Sequence, residues 1–309
     1  MTAASALLDV TVGPDRFGRS LRDVRSSVTD RCNFRCPYCM PKTRFGPGHG
    51  FLPRAEALAA SEIVWFAGVF ASLGVTKIRL TGGEPLLRTD LADIVAGIVK
   101  LGVPDIALTT NGALLRRCAV RLRDAALYRV TVSLDSLDPA AFTAMSDSRV
   151  LLREALDGIA AAREAGLAPI KLNSVAQRGV NEDGLLDLVG FARREGVGLR
   201  CIEYMDVGAT NRWKMADVVS GEEILEGVGR VYPLLEEAPN PAAVARTYRF
   251  ADGHGDLGVI TSVSGPFCGD CTRARLGVDG KFYTCLFATA GIDLREPLRS
   301  GANDDALLA

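Results

Sequence analysis

The chain has 309 residues, of which 48% are hydrophobic and 24% charged, and its formal net charge is −1. This composition is typical of a globular protein with ample material for a core, and the longest apolar run, residues 63–75, is too short to span a bilayer. The near-zero charge excludes a global field toward DNA, RNA or anionic membranes, so a bound anion must meet locally placed cations. The N-terminal segment lacks the basic region and cleavage site of a signal peptide, so we expect a cytoplasmic protein.

The first two thirds of the chain alternate between strand-like and helix-like segments. The apolar patterns predict strands at residues 21–28, 77–81, 106–110, 129–134, 170–175 and 199–204. They predict helices at residues 61–73, 91–101, 114–126, 151–165 and 183–195. Strands joined by helices at this spacing pair in parallel, which predicts an α/β fold with a partial (β/α)6 barrel over residues 1–205. A doubly wound open sheet is the alternative. The alternation is expected to stop past Glu203, where a second region, residues 206–309, begins.

The predicted strands have one apolar and one polar face. On the second strand Leu80 alternates with Arg79, and on the fifth Leu172 alternates with Lys171. A parallel sheet covered by helices on both faces should be apolar throughout, so the polar face predicts a wet or ligand-filled interior. Solvent-exposed strand ends are the alternative for the two cations. If the cations lie inside, the free-energy cost of burying unpaired charge predicts a bound anion.

Three cysteines follow the first predicted strand at the spacing CxxxCxxC: Cys32, Cys36 and Cys39, here called the first triad. A loop of this spacing can place three thiolates around one cubane iron-sulfur cluster and leave the fourth iron without a protein ligand. A tetrahedral zinc site is the alternative. It requires a fourth ligand, and neither His49 nor any other nearby residue completes an accepted spacing.

This motif, with an aromatic residue before its last cysteine, resembles the signature of the radical S-adenosylmethionine (SAM) superfamily. The resemblance implies that the open iron chelates SAM and that an electron from the cluster cleaves it to methionine and a 5′-deoxyadenosyl radical. It also implies SAM contacts in the TGGEP turn and at later strand ends. The implied SAM contacts are Tyr38 through its backbone, Gly83, Glu84, Ser133 and Met205. For Ser133 and Met205 a capping serine and a core methionine are the alternatives.

A second group of cysteines, the second triad, lies near the C-terminus. Cys268 and Cys271 form a CxxC motif, and Cys285 is expected across a hairpin whose turn is a type I′ Asp279-Gly280 dipeptide. Zinc is again the alternative to a cluster. The candidate fourth zinc ligands are His254 and Cys201.

Two arginines, Arg273 and Arg275, alternate beside the second triad. Their fork-shaped guanidinium groups suit phosphate and serve no purpose at a structural zinc site. Together with Arg25, Arg79 and Lys171 they make five cations that the fold could bring to one cavity. That number suits a nucleoside triphosphate.

Motifs along the chain resemble the GTP 3′,8-cyclase family of molybdenum cofactor biosynthesis. They are RSSVTDRCNFRCPYC, KIRLTGGEPLLR, LTTNG, VSLD, IEYMDVG and SVSGPFCGDCTRARLGVDGKFYTCLFAT. The resemblance implies a radical SAM barrel with a C-terminal auxiliary [4Fe-4S] and GTP-binding region, hence two [4Fe-4S] clusters with SAM. It implies abstraction of the ribose C3′ hydrogen of GTP and attack of C3′ on C8. The implied GTP contacts are Arg25, Arg79, Thr109, Lys171, Arg273, Ala274 through its backbone, and Arg275.

The resemblance also implies partners. These are a reductant such as flavodoxin or ferredoxin, the next enzyme of the cofactor pathway, and a second copy in a homodimer, with no DNA, RNA or membrane. Relatives end in a Gly-Gly tail that is needed for activity, whereas this sequence ends in ANDDALLA. The alternatives are therefore a radical SAM enzyme with an auxiliary cluster and another substrate, or a catalytically inactive metal-binding paralogue.

Overall fold

The computed structural model describes residues 14–207, 211–238 and 243–301. The strands within these segments are β1 (Asp23–Ser27), β2 (Lys77–Thr81), β3 (Asp105–Thr110), β4 (Arg129–Ser133), β5 (Ile170–Ala176), β6 (Gly198–Glu203), β7 (Leu234–Glu236), β8 (Arg246–Phe250), β9 (Asp256–Ile260), β10 (Arg273–Leu276), β11 (Lys281–Tyr283) and β12 (Ile292–Asp293). The α-helices are α1 (Lys42–Phe45), α2 (Ala60–Ser72), α3 (Leu91–Lys100), α4 (Leu115–Asp124), α5 (Pro139–Ser146), α6 (Leu152–Glu164), α7 (Leu185–Glu195), α8 (Gly221–Gly229) and α9 (Arg295–Arg299). None of these helices is long and apolar enough to cross a membrane.

The strands form one sheet in the order β12-β11-β10-β1-β2-β3-β4-β5-β6-β9-β8-β7. From β10 to β9 every neighbouring pair is parallel, whereas the outer strands pair antiparallel at both ends. Within the described residues β10 and β9, the outermost parallel strands, do not pair with each other, so the sheet is not closed. It forms a partial barrel that stays open between these two strands.

The core lies between the apolar face of the sheet and the surrounding helices. On β2 the buried residues Ile78 and Leu80 face outward toward the helices. Helix α3 buries Leu91, Ile94 and Ile98, positions that recur on one helical face. The predicted partial (β/α) barrel is confirmed, and each predicted strand and helix overlaps an observed one.

Two sequence-based predictions about the C-terminal third are wrong. The alternation does not stop past Glu203, because α8 and the β7-β8 hairpin lead into β9, which pairs in parallel with β6. The turn between β10 and β11 is not a type I′ Asp279-Gly280 turn. Gly277 pairs with Lys281, and only Gly280 in the three-residue loop has a positive φ, of 77°. This is the three-residue hairpin loop with glycine in the left-handed region.

The chain also contains an unpredicted helix, α5. Its start carries a recognisable signal, because the Asp138 carboxylate accepts the Ala141 N–H at 2.8 Å and Pro139 occupies the first turn. Strands β9 and β10, from the predicted second region, extend the sheet of the first region at both ends. The division at residues 205/206 stays a prediction.

Candidate active site

The two cysteine triads lie at opposite ends of the parallel strands. The first triad follows the C-terminal end of β1. Cys268 and Cys271 precede β10, which runs parallel to β1, so they lie at the N-terminal end. Cys285 follows β11, which runs antiparallel to β10, and therefore returns to that same end. Because a five-residue strand spans about 13 Å, the curled sheet separates the triads by at least one strand length.

The loop of the first triad presents three unpaired thiols. Cys32 and Cys36 are half-buried and Cys39 is exposed. The N–H of Phe34 points to Cys32 Sγ at 3.4 Å, and the N–H of Cys39 donates to the Cys36 carbonyl at 2.9 Å. Burial raises the pKa of Cys32 to about 11 and also raises that of Cys36. The thiolate forms therefore need cations, which the iron of a cluster would provide.

Two glycines bring the end of β2 into contact with the backbone that leads into the first triad. The N–H of Gly83 donates to the Thr29 carbonyl at 2.7 Å, and that of Glu84 donates to the Arg31 carbonyl at 2.7 Å. A Cβ at Gly83 would lie 2.2 Å from the Arg31 oxygen, and one at Gly82 would lie 2.3 Å from the Thr29 oxygen. Gly82 also has a φ of 143°. The two glycines therefore allow the end of β2 to pack closely against the backbone that leads into the first triad.

The Glu84 side chain is buried, with 1% of its surface exposed. Its carboxylate accepts hydrogen bonds from the Leu86 N–H at 3.0 Å, the Thr110 hydroxyl at 2.6 Å and the Asn111 N–H at 2.7 Å. Burial raises its pKa, and these bonds oppose the rise. Glu84 therefore ties the end of β2 to the end of β3. Its predicted bond to the SAM ammonium stays a prediction.

Tyr38 connects the first triad to two other strand ends. Its hydroxyl donates to Asp135 Oδ2 at 2.8 Å, just past β4. The Asn211 amide lies 3.4 Å from the Tyr38 carbonyl and 3.1 Å from the Met205 carbonyl. Ser133, the last residue of β4, and Met205, just past β6, are both half-buried at this edge. The structure thus brings the predicted SAM residues to one edge. Sequence reasoning missed Asp135 and Asn211.

The polar face of the sheet forms a cationic interior between the triads. Arg25 on β1 is paired in register with Arg79 on β2 and with Arg275 on β10. Arg79 Nη1 donates to the Thr109 hydroxyl at 3.0 Å and to the Thr131 hydroxyl at 3.1 Å. The period-two prediction that Arg79 lies inside is confirmed, because only 8% of its surface is exposed. Solvent exposure at a strand end does not describe it.

The cations of this interior act on one another. Burial, followed by the charges of Arg79 and Arg273, lowers the pKa of Arg25 to about 10. Burial likewise lowers the pKa of Arg79 and of Arg275 to about 10. For half-buried Lys171 the causes of its lowered pKa are burial first and then the charge of Arg200. These groups therefore share one low-dielectric space with excess positive charge.

Arg200 is the interior cation that sequence reasoning missed. It lies on β6 between the buried residues Leu199 and Cys201, so its position on the polar face was readable from the period-two pattern. Gly258 is its neighbour on β9, and a Cβ there would lie 2.9 Å from Arg200 Cγ. The glycine leaves the room that the arginine stem occupies. Burial, and then Arg129, lowers the pKa of Arg200.

The second triad is bordered by the arginines of β10. Arg273 Nη2 lies 3.4 Å from Cys271 Sγ, and its guanidinium lies over the Phe267 ring at 5.0 Å. Burial raises the pKa of Cys271, but the hydrogen bonds and charge of Arg273 outweigh it and leave the pKa lowered. The Phe287 N–H points to Cys285 Sγ at 3.5 Å. Ala274 is buried and pairs with Val24 of β1.

The structure places the two candidate fourth zinc ligands of the second triad in different surroundings. Cys201 is fully buried on the outer apolar face of β6, and His254 is exposed beside Asp252. Within residues 14–207, 211–238 and 243–301, no three His, Cys, Asp or Glu side chains converge closely enough to hold a single metal ion. Zinc therefore stays the alternative to a cluster at the second triad.

Comparisons with known proteins agree with this geometry. Residues 26–192 match the Radical SAM superfamily, and residues 197–309 match Molybdenum Cofactor Synthesis C. SuiB of Streptococcus suis, solved with bound S-adenosylmethionine, superposes with a TM-score of 0.67 at 13% identity, covering 93% of this chain and 67% of that one. This likeness shows the fold. The superfamily match implies a [4Fe-4S] cluster and SAM as cofactors.

Comparison with curated relatives shows to which family of radical SAM enzymes the chain belongs. The chain is 52% identical to a GTP 3′,8-cyclase of Acidothermus cellulolyticus, over 95% of this chain and 82% of that one. It is 50% identical to a GTP 3′,8-cyclase of Xanthomonas axonopodis, over 93% of this chain and 86% of that one. The chain therefore belongs to the GTP 3′,8-cyclase family of radical SAM enzymes.

The contact between Gly83 and Arg31 predicts the effect of adding one methyl group. In Gly83→Ala, overpacking against the Arg31 carbonyl should destabilise the fold by about 1–3 kcal/mol and displace the first triad. Iron bound at the first triad and SAM cleavage should both fall. Gly50→Ala is the matched control, because a Cβ there meets nothing within 4 Å. Equal iron content and SAM cleavage in the two variants would refute the positioning role of the contact.

Asp135 predicts a pH dependence of stability. Burial raises its pKa to about 6, above the value near 3.9 of an unfolded chain. The native state then binds more protons at Asp135 between about pH 4 and 6, so the contribution of Asp135 to stability is full below this window and about 3 kcal/mol of it is lost as pH rises through it. Urea unfolding of metal-free protein should show this loss as a difference in pH slope between the parent protein and Asp135→Asn. Asp124→Asn, on the exposed face of α4, should keep the pH slope of the parent protein. The same pH slope in Asp135→Asn as in the parent protein would disprove the assignment.

Proposed function

We propose that this chain converts GTP to (8S)-3′,8-cyclo-7,8-dihydroguanosine 5′-triphosphate in molybdenum cofactor biosynthesis. The observation that carries the proposal is the cationic interior enclosed between two cysteine triads. Arg25, Arg79 and Arg275 lie side by side on three adjacent strands, and each is buried enough to lower its pKa. A triphosphate is the anion whose charge and length suit such a row.

The site residues divide into two ends with separate tasks. At the C-terminal strand edge, Cys32, Cys36 and Cys39 would hold the cluster that binds SAM. Tyr38, Gly83, Glu84, Ser133 and Met205 would form the SAM site around it. The cluster and SAM, when bound, supply the one-electron chemistry that abstracts the ribose C3′ hydrogen. The protein residues orient SAM and exclude water from that end.

At the opposite end, Cys268, Cys271 and Cys285 would hold a second [4Fe-4S] cluster whose open iron faces the guanine. The triphosphate would bind the interior cations and Thr109. The proposed GTP residues are Arg25, Arg79, Thr109, Lys171, Arg273, Ala274 through its backbone, and Arg275, with Arg200 added by the structure. Binding at both the base and the phosphates would fix the ribose between the two triads. The ribose is the part of GTP that must meet the radical.

The partner proposals follow from the same chemistry. A reductant such as flavodoxin or ferredoxin would supply the electron, and exposed Cys39 marks the side on which it would reach the first cluster. The product would pass to the next enzyme of the pathway, and homodimerisation stays a prediction. The C-terminal residues ANDDALLA, on which the comparison with the Gly-Gly tail of relatives rests, are residues 302–309 and lie outside the described residues.

The cationic interior predicts a phosphate-dependent loss of GTP affinity. Arg275→Ala removes a buried guanidinium, and hydrogen bonds to charged groups contribute about 1.5–3 kcal/mol, so the GTP Kd should rise about tenfold or more. Guanosine, which has no phosphate, should bind equally to the parent and the variant. Arg249→Ala is the control, because Arg249 is exposed on β8 and paired with Glu237. An unchanged GTP Kd in Arg275→Ala, measured by calorimetry under anaerobic conditions, would count against the cyclase.

The two triads predict separable losses. Anaerobic reconstitution should give about eight iron atoms per chain, and Cys36→Ala should retain about half. This variant should lose SAM cleavage but bind GTP as the parent does, because the second triad and the cations are unchanged. Residual 5′-deoxyadenosine would show that the first triad is misassigned. A stoichiometry of one zinc per chain would support the metal-binding paralogue, and two clusters without GTP affinity would support a radical SAM enzyme with another substrate.

A further inference from the structure

A buried carboxylate outside the proposed site holds the chain segment that carries part of the second triad. Glu203, at the end of β6, has no exposed surface. Its Oε1 accepts the Gly221 N–H at 2.7 Å and the Ser264 hydroxyl at 2.5 Å. Its Oε2 accepts the Val263 N–H at 2.7 Å and the Ser264 N–H at 2.8 Å. These four bonds outweigh the effect of burial and leave the pKa of Glu203 lowered, so the acceptor is a carboxylate.

The segment it holds crosses the open side of the barrel. Strand β9 ends at Ile260 on the C-terminal edge, and β10 begins at Arg273 on the N-terminal edge, while β9 and β10 do not pair with each other. Residues 261–272, here called the strap, therefore run from one edge to the other. Cys268 and Cys271 lie in the half of the strap that is nearer the N-terminal edge. The strap occupies the place where a closed barrel would have hydrogen-bonded strands.

The strap is fixed at both ends by different groups. At the N-terminal edge, Arg19 Nη1 donates to the Cys268 carbonyl at 2.9 Å. The N–H groups of Arg22 and Asp23 donate to the Thr272 carbonyl at the same edge. At the C-terminal edge of the sheet, Glu203 accepts three hydrogen bonds from the strap, namely from the N–H groups of Val263 and Ser264 and from the Ser264 hydroxyl. The Thr261 hydroxyl bond to the Gly265 carbonyl is internal to the strap.

We propose that Glu203 is a positioning residue for the second triad. By anchoring the strap to β6 it fixes the segment that carries Cys268 and Cys271 at the same end of the sheet as Cys285, and it keeps Phe267 under the Arg273 guanidinium. The inference rests on the proposed function in one respect, namely that the second triad holds a cluster. Without Glu203, the N–H groups of Val263 and Ser264 would have to bond to water instead of to a buried carboxylate. The segment that carries the cysteines would then be fixed at only one of its two ends, and the cysteines would move more freely.

A different role for Glu203 would be to cap helix α8, whose first residue is Gly221. The chain contains a matched control for that role. Glu223 caps the same helix, accepting the Ser220 N–H at 2.9 Å and the Ser220 hydroxyl at 2.8 Å, and makes no bond to the strap. Glu223→Ala therefore weakens α8 and leaves the strap anchored, whereas Glu203→Ala removes the anchor.

The test measures iron at the second triad alone. Each variant is made in a chain whose first triad is replaced by alanine, is reconstituted anaerobically, and is exposed to an iron chelator. Glu203→Ala should release its iron about tenfold faster or more, because it loses several charge-assisted bonds. Glu203→Gln should be intermediate, since the amide keeps one acceptor oxygen. Glu223→Ala should lower the melting temperature and leave the release rate unchanged.

With the first triad intact, Glu203→Ala should weaken GTP binding. Its rate of SAM cleavage should stay within about twofold of the parent rate, because sites that are far apart couple only weakly. Iron release in Glu203→Ala equal to that in Glu223→Ala would overturn the proposal. If Glu203→Ala does not fold, Ser264→Ala and Glu203→Gln take its place, and unchanged iron release in both would overturn it equally. A parent protein that holds the second cluster but does not bind GTP would refute the cyclase, and the iron measurement would still decide the role of Glu203.

Discussion

The structure depends on the burial of several guanidinium groups inside one curled sheet. Removing such charges from water is costly, and the lowered pKa values of Arg25, Arg79 and Arg275 show that the interior disfavours their charged form. A pKa of about 10 still leaves each group protonated near pH 7. Two carboxylates at the N-terminal edge offset only part of this positive charge. Asp23 forms an ion pair with Lys77, and Asp105 forms ion pairs with Lys77 and Arg129. The remaining charge would be stabilised by an anion, and this is the physical basis on which we propose that the triphosphate binds here.

The buried cations stay close together only if the strands that carry them cannot move apart. The outward face of the same strands holds them in place, because Leu80, Leu108 and Leu172 are fully buried against the helices. Inward polar residues and outward apolar residues alternate along each strand, so the position of each polar side chain depends on the burial of its apolar neighbours. Stability and binding are therefore encoded in the same strands on opposite faces. Neither function can be adjusted by shifting a strand.

The period-two pattern was enough to predict the inward position of Arg79, because strand alternation is local and independent of the partner strands. The same pattern on β6 places Arg200 between the buried residues Leu199 and Cys201, so its inward position was equally predictable although sequence reasoning missed it. The placement of the second triad was not predictable in the same way. It depends on β10 pairing with β1 across more than two hundred residues of sequence, and no local signal in β10 specifies that partner. The hairpin turn failed for a related reason, because the pairing of Gly277 with Lys281, set by the flanking strands, selected a three-residue loop over the dipeptide turn.

Strand register links the two ends of the site. A slip of one residue between β1 and β10 would replace the pairing of Arg25 with Arg275 by a pairing with an apolar neighbour, and would turn the arginine out of the interior. The distance between the triads would change with it. Hydrogen bonds at both edges oppose that slip, through the backbone bonds of Gly83 and Glu84 to the loop of the first triad and through the Arg22 and Asp23 bonds to Thr272. The distance between the two triads is thus set by backbone pairing, which changes less readily than the rotamer of any side chain, and in the proposed function it would fix the distance between the radical source and the substrate.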